Sequence, residues 1–395
     1  MAGPTGIALW FTRLHMRQSE FMANPYPLYR QWLQEHPRWE VDDGEWLLFR
    51  YEDVRRVLME PAFAKGEPWT ETPPPDFAHL PELSPSMLMQ NPPDHTRLRG
   101  LVSQAFQPRH LERLRPFVTD LARDLADRIR HDGGGDLVSQ FAFPLPALVI
   151  AELLGVPRED HGQFRQWSQH IARLLDPSQT PEAREKAVRA RWELLDYFHQ
   201  LIQAKRAHPG DDLLTELIQV ESAGDRLSPG ELLSMALLLL VAGHETTTNL
   251  LSMGTLALIE HPDLERPRDH WHLAVEELLR YTSPVQLDAR KTVAPVAFDG
   301  IAVPEGSWLT VVLGAANRDP AVFSDPDRLD LARQPNPHMA FGRGIHYCLG
   351  ASLARMEAEI AFPILWETSW SLEGTPLWNE NIVLRGLTAL PVAPQ

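Results

Sequence analysis

Apolar residues recur at helical spacing through the middle of the chain. The clearest repeat places them at intervals of three and four residues: Leu111, Leu114, Val118, Leu121, Leu125 and Ile129. Such spacing predicts an amphipathic helix, so we expect helices from His95 to about Arg280. Gly133-Gly134-Gly135 interrupts them. We interpret it as a turn, because no strand precedes it and no Lys-Ser/Thr pair follows, as a phosphate loop requires.

A long buried helix is predicted to begin after Ser228. The run Ser228-Pro229-Gly230-Glu231 combines a capping serine, a proline at the first helical position and a glutamate at the third, which is a capping box. The apolar run from Leu232 to Ala242 is too short to span a membrane and predicts a helix buried on every side. A last helix is expected from about Leu349 to Trp366.

Strand-like patterns lie near both ends of the chain. Trp46-Leu47-Leu48-Phe49 is apolar and bounded by polar residues, and the chain after Thr282 turns strand-like and rich in proline. Prolines at 68 and 73–75 predict a segment without regular structure, either a mobile lid or a surface loop. The fold class expected is mainly α with a minor β region (α+β).

The chain is expected to form a single domain over residues 1–395, because we find no long linker. Within it, a β-rich lobe would comprise about residues 1–75 with the C-terminal sheet pieces. A helical lobe would comprise about residues 95–281 and 349–366.

Composition narrows the function classes. With a net charge of -16 and no basic stripe, the chain is expected to bind no nucleic acid. The apolar part of residues 1–18 is too short to span a bilayer and lacks a small-residue cleavage site, so we expect a cytoplasmic protein without an integral membrane segment. A peripheral membrane contact is the alternative. The single cysteine, Cys348, excludes an intramolecular disulfide and a Cys-x-x-Cys zinc site.

Glycines surround this cysteine in the run Phe341-Gly342-Arg343-Gly344-Ile345-His346-Tyr347-Cys348-Leu349-Gly350. They permit tight or left-handed backbone and the close approach of a large group. The helix that follows places Cys348 near a helix N-terminus, which favours a thiolate over a thiol. A thiolate is a soft ligand suited to iron, and Phe341 is placed to cover it. The alternative is a glycine turn with an inert, buried cysteine.

Polar residues also interrupt the long buried helix, at Ala242-Gly243-His244-Glu245-Thr246-Thr247-Thr248. An acid and a hydroxyl in an apolar helix cost free energy unless they are paired. A zinc protease motif is excluded, because its second histidine would fall at Thr248. The alternative to a functional role is a threonine that bonds back to the carbonyl one turn earlier.

These segments resemble the cytochromes P-450. Residues 341–350 match every position of the pattern Phe-Gly-x-Gly-x-His-x-Cys-x-Gly, and the run from Ala242 is similar to Ala/Gly-Gly-x-Asp/Glu-Thr-Thr. Glu277-Leu278-Leu279-Arg280 is similar to the family's Glu-x-x-Arg motif. The likeness covers nearly the entire chain and is to the soluble bacterial branch. One departure is the stretch between Pro262 and Glu276, which is short and does not touch the chemistry.

The resemblance implies a triangular, helix-rich prism with haem b between the long central helix and the cysteine-loop helix. It implies Cys348 as the metal ligand, and Thr246 and Glu245 as the catalytic residues that bond dioxygen and relay protons. The cofactor-binding residues that it implies are His95, Arg99, Arg290, His346, Cys348, Phe341, Gly350, Gly243 and Ala242. Glu277 and Arg280 would form a buried structural pair near Arg318.

The resemblance further implies a monooxygenase that inserts one atom of dioxygen into an apolar substrate by hydroxylation or epoxidation. A fatty acid, terpene, steroid or macrolide would fit. Electrons would come ultimately from NAD(P)H through a ferredoxin or flavodoxin with its reductase, because no flavin or nicotinamide fingerprint is visible. A monomer is expected. Two rival functions are a peroxide-driven haem enzyme and a haem sensor or carrier without turnover.

Two sets of contact residues complete the expectation. A basic docking patch on the thiolate side would comprise Arg97, Arg109, Arg113, Arg115 and Arg343. Substrate contacts placed by likeness alone are residues 69–75, Met87, Leu88, Leu239, Ala242, Val285 to Leu287, Leu387 and Thr388.

Overall fold

The structure is a computed structural model that describes residues 19–42, 44–66, 71–105, 108–172, 174, 180–222 and 225–395. The predicted N-terminal segment 1–18, Pro68 and Trp69 therefore lie outside the described residues. Among the helices described, none is both long and apolar enough to cross a membrane.

Helices dominate the chain, which confirms the mainly α prediction. In chain order they are α1 (Ser19–Ala23), α2 (Tyr26–Glu35), α3 (Tyr51–Met59), α4 (Asp94–Ala105), α5 (Pro108–His131), α6 (Pro144–Leu154), α7 (His161–Ala172), α8 (Pro181–Ala207), α9 (Leu213–Gln219), α10 (Pro229–Glu260), α11 (Trp271–Thr282), α12 (Leu313–Ala316) and α13 (Ala351–Leu365). The amphipathic repeat lies in α5, as predicted. The last helix begins at Ala351, two residues later than expected, because Gly350 caps it.

The strands are short. They are β1 (Arg38–Asp42), β2 (Glu45–Leu48), β3 (Phe63–Ala64), β4 (Gly135–Asp136), β5 (Glu221–Ser222), β6 (Asp225–Arg226), β7 (Leu287–Thr292), β8 (Val296–Phe298), β9 (Ile301–Val303), β10 (Trp308–Val312), β11 (Trp370–Leu372), β12 (Leu377–Trp378), β13 (Leu387–Ala389) and β14 (Pro391–Pro394). The main sheet has the order β1-β2-β10-β7-β3. It joins strands from both ends of the chain, since β10 pairs parallel with β2 and antiparallel with β7.

The central element is α10, whose 32 residues make it about 48 Å long. Its start is capped as predicted: the Ser228 hydroxyl accepts from the Glu231 amide, and the Glu231 carboxylate accepts from the Ser228 amide. The helix packs against α6, α11 and α13. Its first half is buried on nearly every side, which explains why that part of the sequence is apolar without a polar stripe.

Candidate active site

The cysteine loop is built by two glycines in left-handed conformation, Gly342 (φ 69°) and Gly344 (φ 70°). A Cβ on Gly344 would lie 2.3 Å from the Leu58 carbonyl oxygen, so only glycine fits there. The Cys348 amide donates to the Phe341 carbonyl at 3.0 Å and closes the loop. Apart from its own chain neighbours and helix, no described residue lies within 4 Å of the position that a Cβ on Gly350 would occupy, which leaves space beside the cysteine.

Opposing effects act on the ionisation of the Cys348 thiol. The residue is exposed, yet desolvation by the surrounding protein raises the pKa of the thiol. The Gly350 amide and the charges of Arg99 and Arg355 act in the opposite direction. A coordinated metal would favour the thiolate further.

A cluster of basic residues lies against this loop and brings together four predicted cofactor-binding residues. The rings of His95 and His346 have centroids 4.3 Å apart. Arg99 Nη2 donates to the Tyr347 carbonyl oxygen at 2.7 Å, which ties α4 to the loop. Arg290 is close enough to lower the pKa of both histidines.

Both histidines of the cluster are neutral. Burial, together with Arg99 and Arg290, lowers the pKa of His95. Burial and the charges of Arg290 and Lys65 lower the pKa of His346 to about 3. His95 is 2% exposed, and neither ring nitrogen has a hydrogen-bond partner among the described residues. Such unpaired buried nitrogens are costly unless another group bonds to them.

Two residues of this cluster were missed by sequence analysis. Lys65 Nζ donates to Asp288 Oδ1 at 2.6 Å, and Arg290 Nη1 donates to Asp288 Oδ2 at 2.7 Å. Asp288 stands two residues before Arg290 on the same strand and hence on the same face, a signal that the alternation of β7 could have supplied. Lys65 precedes Arg290 by more than 200 residues, and no local pattern connects them.

The predicted catalytic residues lie in the middle of α10, where burial is interrupted. Ala242 is exposed and Glu245 and Thr246 are partly exposed, while Thr247 to Leu258 are buried. Thr246 Oγ1 donates to the Ala242 carbonyl oxygen at 2.9 Å, so the back-bonded alternative is what the structure shows. This bond leaves the lone pairs of the hydroxyl available as acceptors.

His244 does not form an ion pair with its neighbour. Its Nδ1 lies 3.0 Å from the Leu240 carbonyl oxygen, an arrangement in which Nδ1 carries the proton and donates. Burial lowers the pKa of His244, so the ring is neutral although Nε2 lies 3.7 Å from Glu245 Oε2. Glu245 therefore keeps its capacity for other partners.

Gly243 lies where α6 packs closely against α10. A Cβ at this position would lie 3.1 Å from Ile150 Cδ1, on α6. The close packing of the two helices therefore favours glycine here. The cofactor contact expected for Gly243 stays a prediction.

The buried pair Glu277–Arg280 is found as expected, with both side chains fully buried. The pair lies near Arg318, as expected: Arg280 Nη1 donates to the Asn317 carbonyl oxygen, and Arg318 bonds to the Tyr281 carbonyl oxygen and to Asp327. A second cation that the sequence did not predict, Arg333, places its Nε 3.1 Å from both Glu277 carboxylate oxygens.

A polar network supports Phe341 from behind. The guanidinium carbon of Arg355 lies 4.5 Å from the centroid of the Phe341 ring, and Arg355 Nε donates to Glu276 Oε1 at 2.6 Å. The Ala340 amide donates to His338 Nδ1, so His338 Nε2 carries the proton and donates to Glu276 Oε2 at 3.0 Å. The network fixes the ring that was predicted to cover the sulfur.

Glu276 makes the stability of the fold depend on pH. Burial alone would raise its pKa, but the hydrogen bonds from His338 and Arg355 lower it to about 2. A carboxyl whose pKa is lower in the folded state stabilises the fold above the unfolded value of 4.5, and this contribution is lost as the pH falls toward 2. We expect Glu276→Gln to remove about 1–2 kcal/mol of stability at neutral pH, because solvent screens this partly exposed carboxylate, and to flatten the acid dependence. Urea unfolding at pH 6 and pH 3.5 measures this, and equal pH dependence in variant and parent would contradict it.

The arginines of the predicted docking patch form hydrogen bonds within the chain. Each of the four described side chains has an acceptor: Arg97 on Glu231, Arg113 on Asp211, Arg115 on Glu112, and Arg343 on the Pro337 and His338 carbonyl oxygens. The side chain of Arg109 lies outside the described residues. Carboxylates thus offset three of these charges, and the structure gives no support to a docking patch built from them.

The candidate substrate contacts divide by exposure. Five are buried, namely Met87, Leu239, Gln286, Leu287 and Leu387. Leu88 is 40% exposed, Ala242 and Thr388 are exposed, and Val285 is partly buried. The described part of the proline-rich segment packs against α8: Arg191 bonds to Glu71 through both Nη atoms, and Phe77 stacks on Trp192 with centroids 6.1 Å apart.

Comparison with known proteins adds to this geometry. The model of the Cytochrome P450 family matches residues 2–267 and 272–379, and the break falls in the stretch that departs from the family pattern. Cytochrome P450 107B1 of Saccharopolyspora erythraea is 45% identical over 369 residues, which cover 88% of this chain and 89% of that protein. The cytochrome P450 monooxygenase PikC of Streptomyces venezuelae is 42% identical over 390 residues, which cover 94% and 92%.

A solved structure agrees in fold. P450BioI, crystallised in complex with an acyl carrier protein that carries hexadec-9Z-enoic acid, superposes with a TM-score of 0.87 at 35% identity. The superposition covers 95% of this chain and 99% of that one. This likeness confirms the fold class predicted from the sequence.

Proposed function

Since this chain belongs to the cytochrome P450 family and is a haem-thiolate monooxygenase that carries haem b, we propose that its own residues divide into a haem-holding set and a proton-delivering pair. The observation that carries this proposal is the meeting of α4 with the cysteine loop. There the His95 and His346 rings lie in contact, and Arg99 bonds to the Tyr347 carbonyl oxygen.

The residues present fit the haem. The two buried His95 nitrogens lack partners among the described residues, and Arg99 and Arg290 supply guanidinium groups that bond carboxylates well. The haem propionates are carboxylates of this kind. We assign His95, Arg99, Arg290 and His346 to them, and Cys348 to the iron. When bound, the haem supplies the iron at which dioxygen is activated, with the thiolate as an electron-donating ligand.

Glu245 and Thr246 are proposed to deliver protons to the oxygen side of the site. Because the Thr246 hydroxyl already donates to the Ala242 carbonyl, its Oγ1 can accept a hydrogen bond from water and hold that water in place. Glu245 is partly exposed and unpaired with His244, so it can take up and release a proton next to that position. Phe341, held by Arg355, is proposed to cover the opposite side.

The substrate is proposed to be an apolar organic molecule. Ala242 is exposed on α10, and the apolar residue next to it, Val241, is partly exposed. The protein needs a redox partner, as the family does, and we propose a ferredoxin or flavodoxin with its reductase. We further propose a cytoplasmic monomer in which residues 1–395 act as one domain.

The reduced carbon monoxide difference spectrum of the purified holoenzyme tests the haem assignment. Thiolate ligation shifts the band to the red of the position seen with histidine ligation. A stable, unshifted band in the folded holoenzyme would contradict the role given to Cys348.

Thr246→Ala tests the proton-delivering pair. We expect electron consumption to continue while product per electron falls about tenfold or more, with the difference recovered as hydrogen peroxide, because general acid–base groups contribute at least this much. Thr247→Ala is the control, since its hydroxyl is buried on the same helix. Unchanged coupling in Thr246→Ala would contradict the assignment. The assay also separates the rivals, because a haem carrier has no turnover to uncouple and a peroxide-driven enzyme would not need this threonine.

A further inference from the structure

Lys65 directly follows β3, whose last residue, Ala64, pairs with Lys291 on β7, the residue next to Arg290. This places Lys65 and Arg290, two like charges that repel, at the same end of the strand pair. Asp288 bridges them, with one carboxylate oxygen on each cation at 2.6 and 2.7 Å.

The backbone of Lys65 is held as firmly as its side chain. The Lys65 amide donates to Asn91 Oδ1 at 2.8 Å, and Asn91 Nδ2 donates to the Lys65 carbonyl oxygen at 3.1 Å. Asn91 stands just before α4, the helix that carries His95 and Arg99. The Asn91 side chain therefore sets the position of Lys65 relative to both β3 and α4.

The charges of this cluster do not balance. Two cations, Lys65 and Arg290, share one described carboxylate, Asp288, which leaves one positive charge in surplus, and Arg99 adds a further cation beside His95. Lys65 is 9% and Arg290 2% exposed, so water compensates them poorly. Burial lowers the pKa of Lys65, and its charge contributes to the lowered pKa of His346. Such a surplus favours the binding of a further anionic group.

We propose that Lys65 is a third cationic residue for the haem carboxylates, positioned by Asp288 and Asn91. The inference rests on the proposed haem site and adds to it a residue that the cysteine-loop and helix motifs do not contain. Asp288 bonds one of the three N–H groups of the ammonium, which leaves further donors for a propionate.

Transfer of haem from the holoenzyme to excess apomyoglobin tests the proposal. We expect Lys65→Met, which keeps the length of the side chain and removes its charge, to lose haem about tenfold faster or more. Lys65→Arg should stay within a few-fold of the parent, because it keeps the charge. Lys186→Met, an exposed lysine on α8, is the matched control and should not change the rate. Haem loss from Lys65→Met at the parent rate would overturn the proposal.

Reconstitution with haem dimethyl ester separates a propionate contact from a structural role. With neutral esters, the parent and Lys65→Met should lose the ester at the same rate. If Lys65→Met keeps its faster loss with the ester, the lysine acts only through the fold and the proposal fails. If Lys65→Met does not fold, the same comparison with Lys65→Gln decides between these outcomes. A red-shifted carbon monoxide band in the variant shows that the proposed haem-thiolate site stands even where the Lys65 proposal fails.

Discussion

Replacing Cys348 by serine is expected to abolish monooxygenase turnover and to remove the red-shifted carbon monoxide band. Serine has nearly the same size as cysteine, so the loop closed by the bond from the residue 348 amide to the Phe341 carbonyl should persist. Its hydroxyl is a harder ligand than a thiol and remains protonated at neutral pH, so it cannot donate electrons as the thiolate does. The measurements are the difference spectrum and product formation per haem.

The control is Ser352→Ala, in the first turn of α13, the helix that follows Cys348. Ser352 is exposed, and its replacement should change neither the band nor the turnover. Retention of a red-shifted band in Cys348→Ser would mean that another residue holds the iron. Cys348 is the only cysteine of the chain, so this result would contradict thiolate ligation altogether.

Replacing Glu277 by glutamine is expected to destabilise the fold by about 3–5 kcal/mol, because it leaves buried cations without their counter-charge. The Glu277 carboxylate accepts from Arg280, from Arg333, from the Asp330 amide and from Asn336. Glutamine retains one carbonyl oxygen and places an NH2 group against arginine donors. Urea unfolding of the holoenzyme gives the loss in the free energy of unfolding.

A matched pair on the surface provides the control. Glu112 and Arg115 have the same three-residue spacing on a helix, but their side chains are 64% and 45% exposed. Exposed ion pairs contribute little to stability, so Glu112→Gln should lower the free energy of unfolding by less than about 0.5 kcal/mol. Equal losses in the two variants would show that burial does not determine how much Glu277 contributes to the free energy of unfolding.

The sequence predicted those parts of the site that depend on residues close together in the chain. The capping box at Ser228 set the start of α10, and two glycines marked the left-handed turns before Cys348. Each depends on residues within a few positions of one another, so a pattern can reveal it. The pairing of Glu277 with Arg280 is local in the same sense.

The parts that were missed depend on packing between distant segments. Lys65 meets Asp288 only because β3 pairs with β7, and Arg333 reaches Glu277 only after the chain folds back. The close packing of Gly243 against Ile150 on α6 likewise joins two helices and is visible only in three dimensions. The thiol of Cys348 shows the same limit, because helix position favours ionisation and burial opposes it.

The fixed start of α10 restricts insertions and deletions in the part of the gene that encodes this helix. Ser228 caps the helix, Arg97 bonds to Glu231, and the Ser234 hydroxyl bonds to the Ser84 carbonyl oxygen, so the first turns cannot slide. Each residue inserted between Glu231 and Thr246 would turn everything beyond it by about 100° and advance it by about 1.5 Å. A single-codon insertion or deletion in that stretch would therefore rotate Thr246 off its face, while point substitutions there would leave it in place. Lineages that descend from this gene should hold the spacing from 231 to 246 constant and vary in length elsewhere.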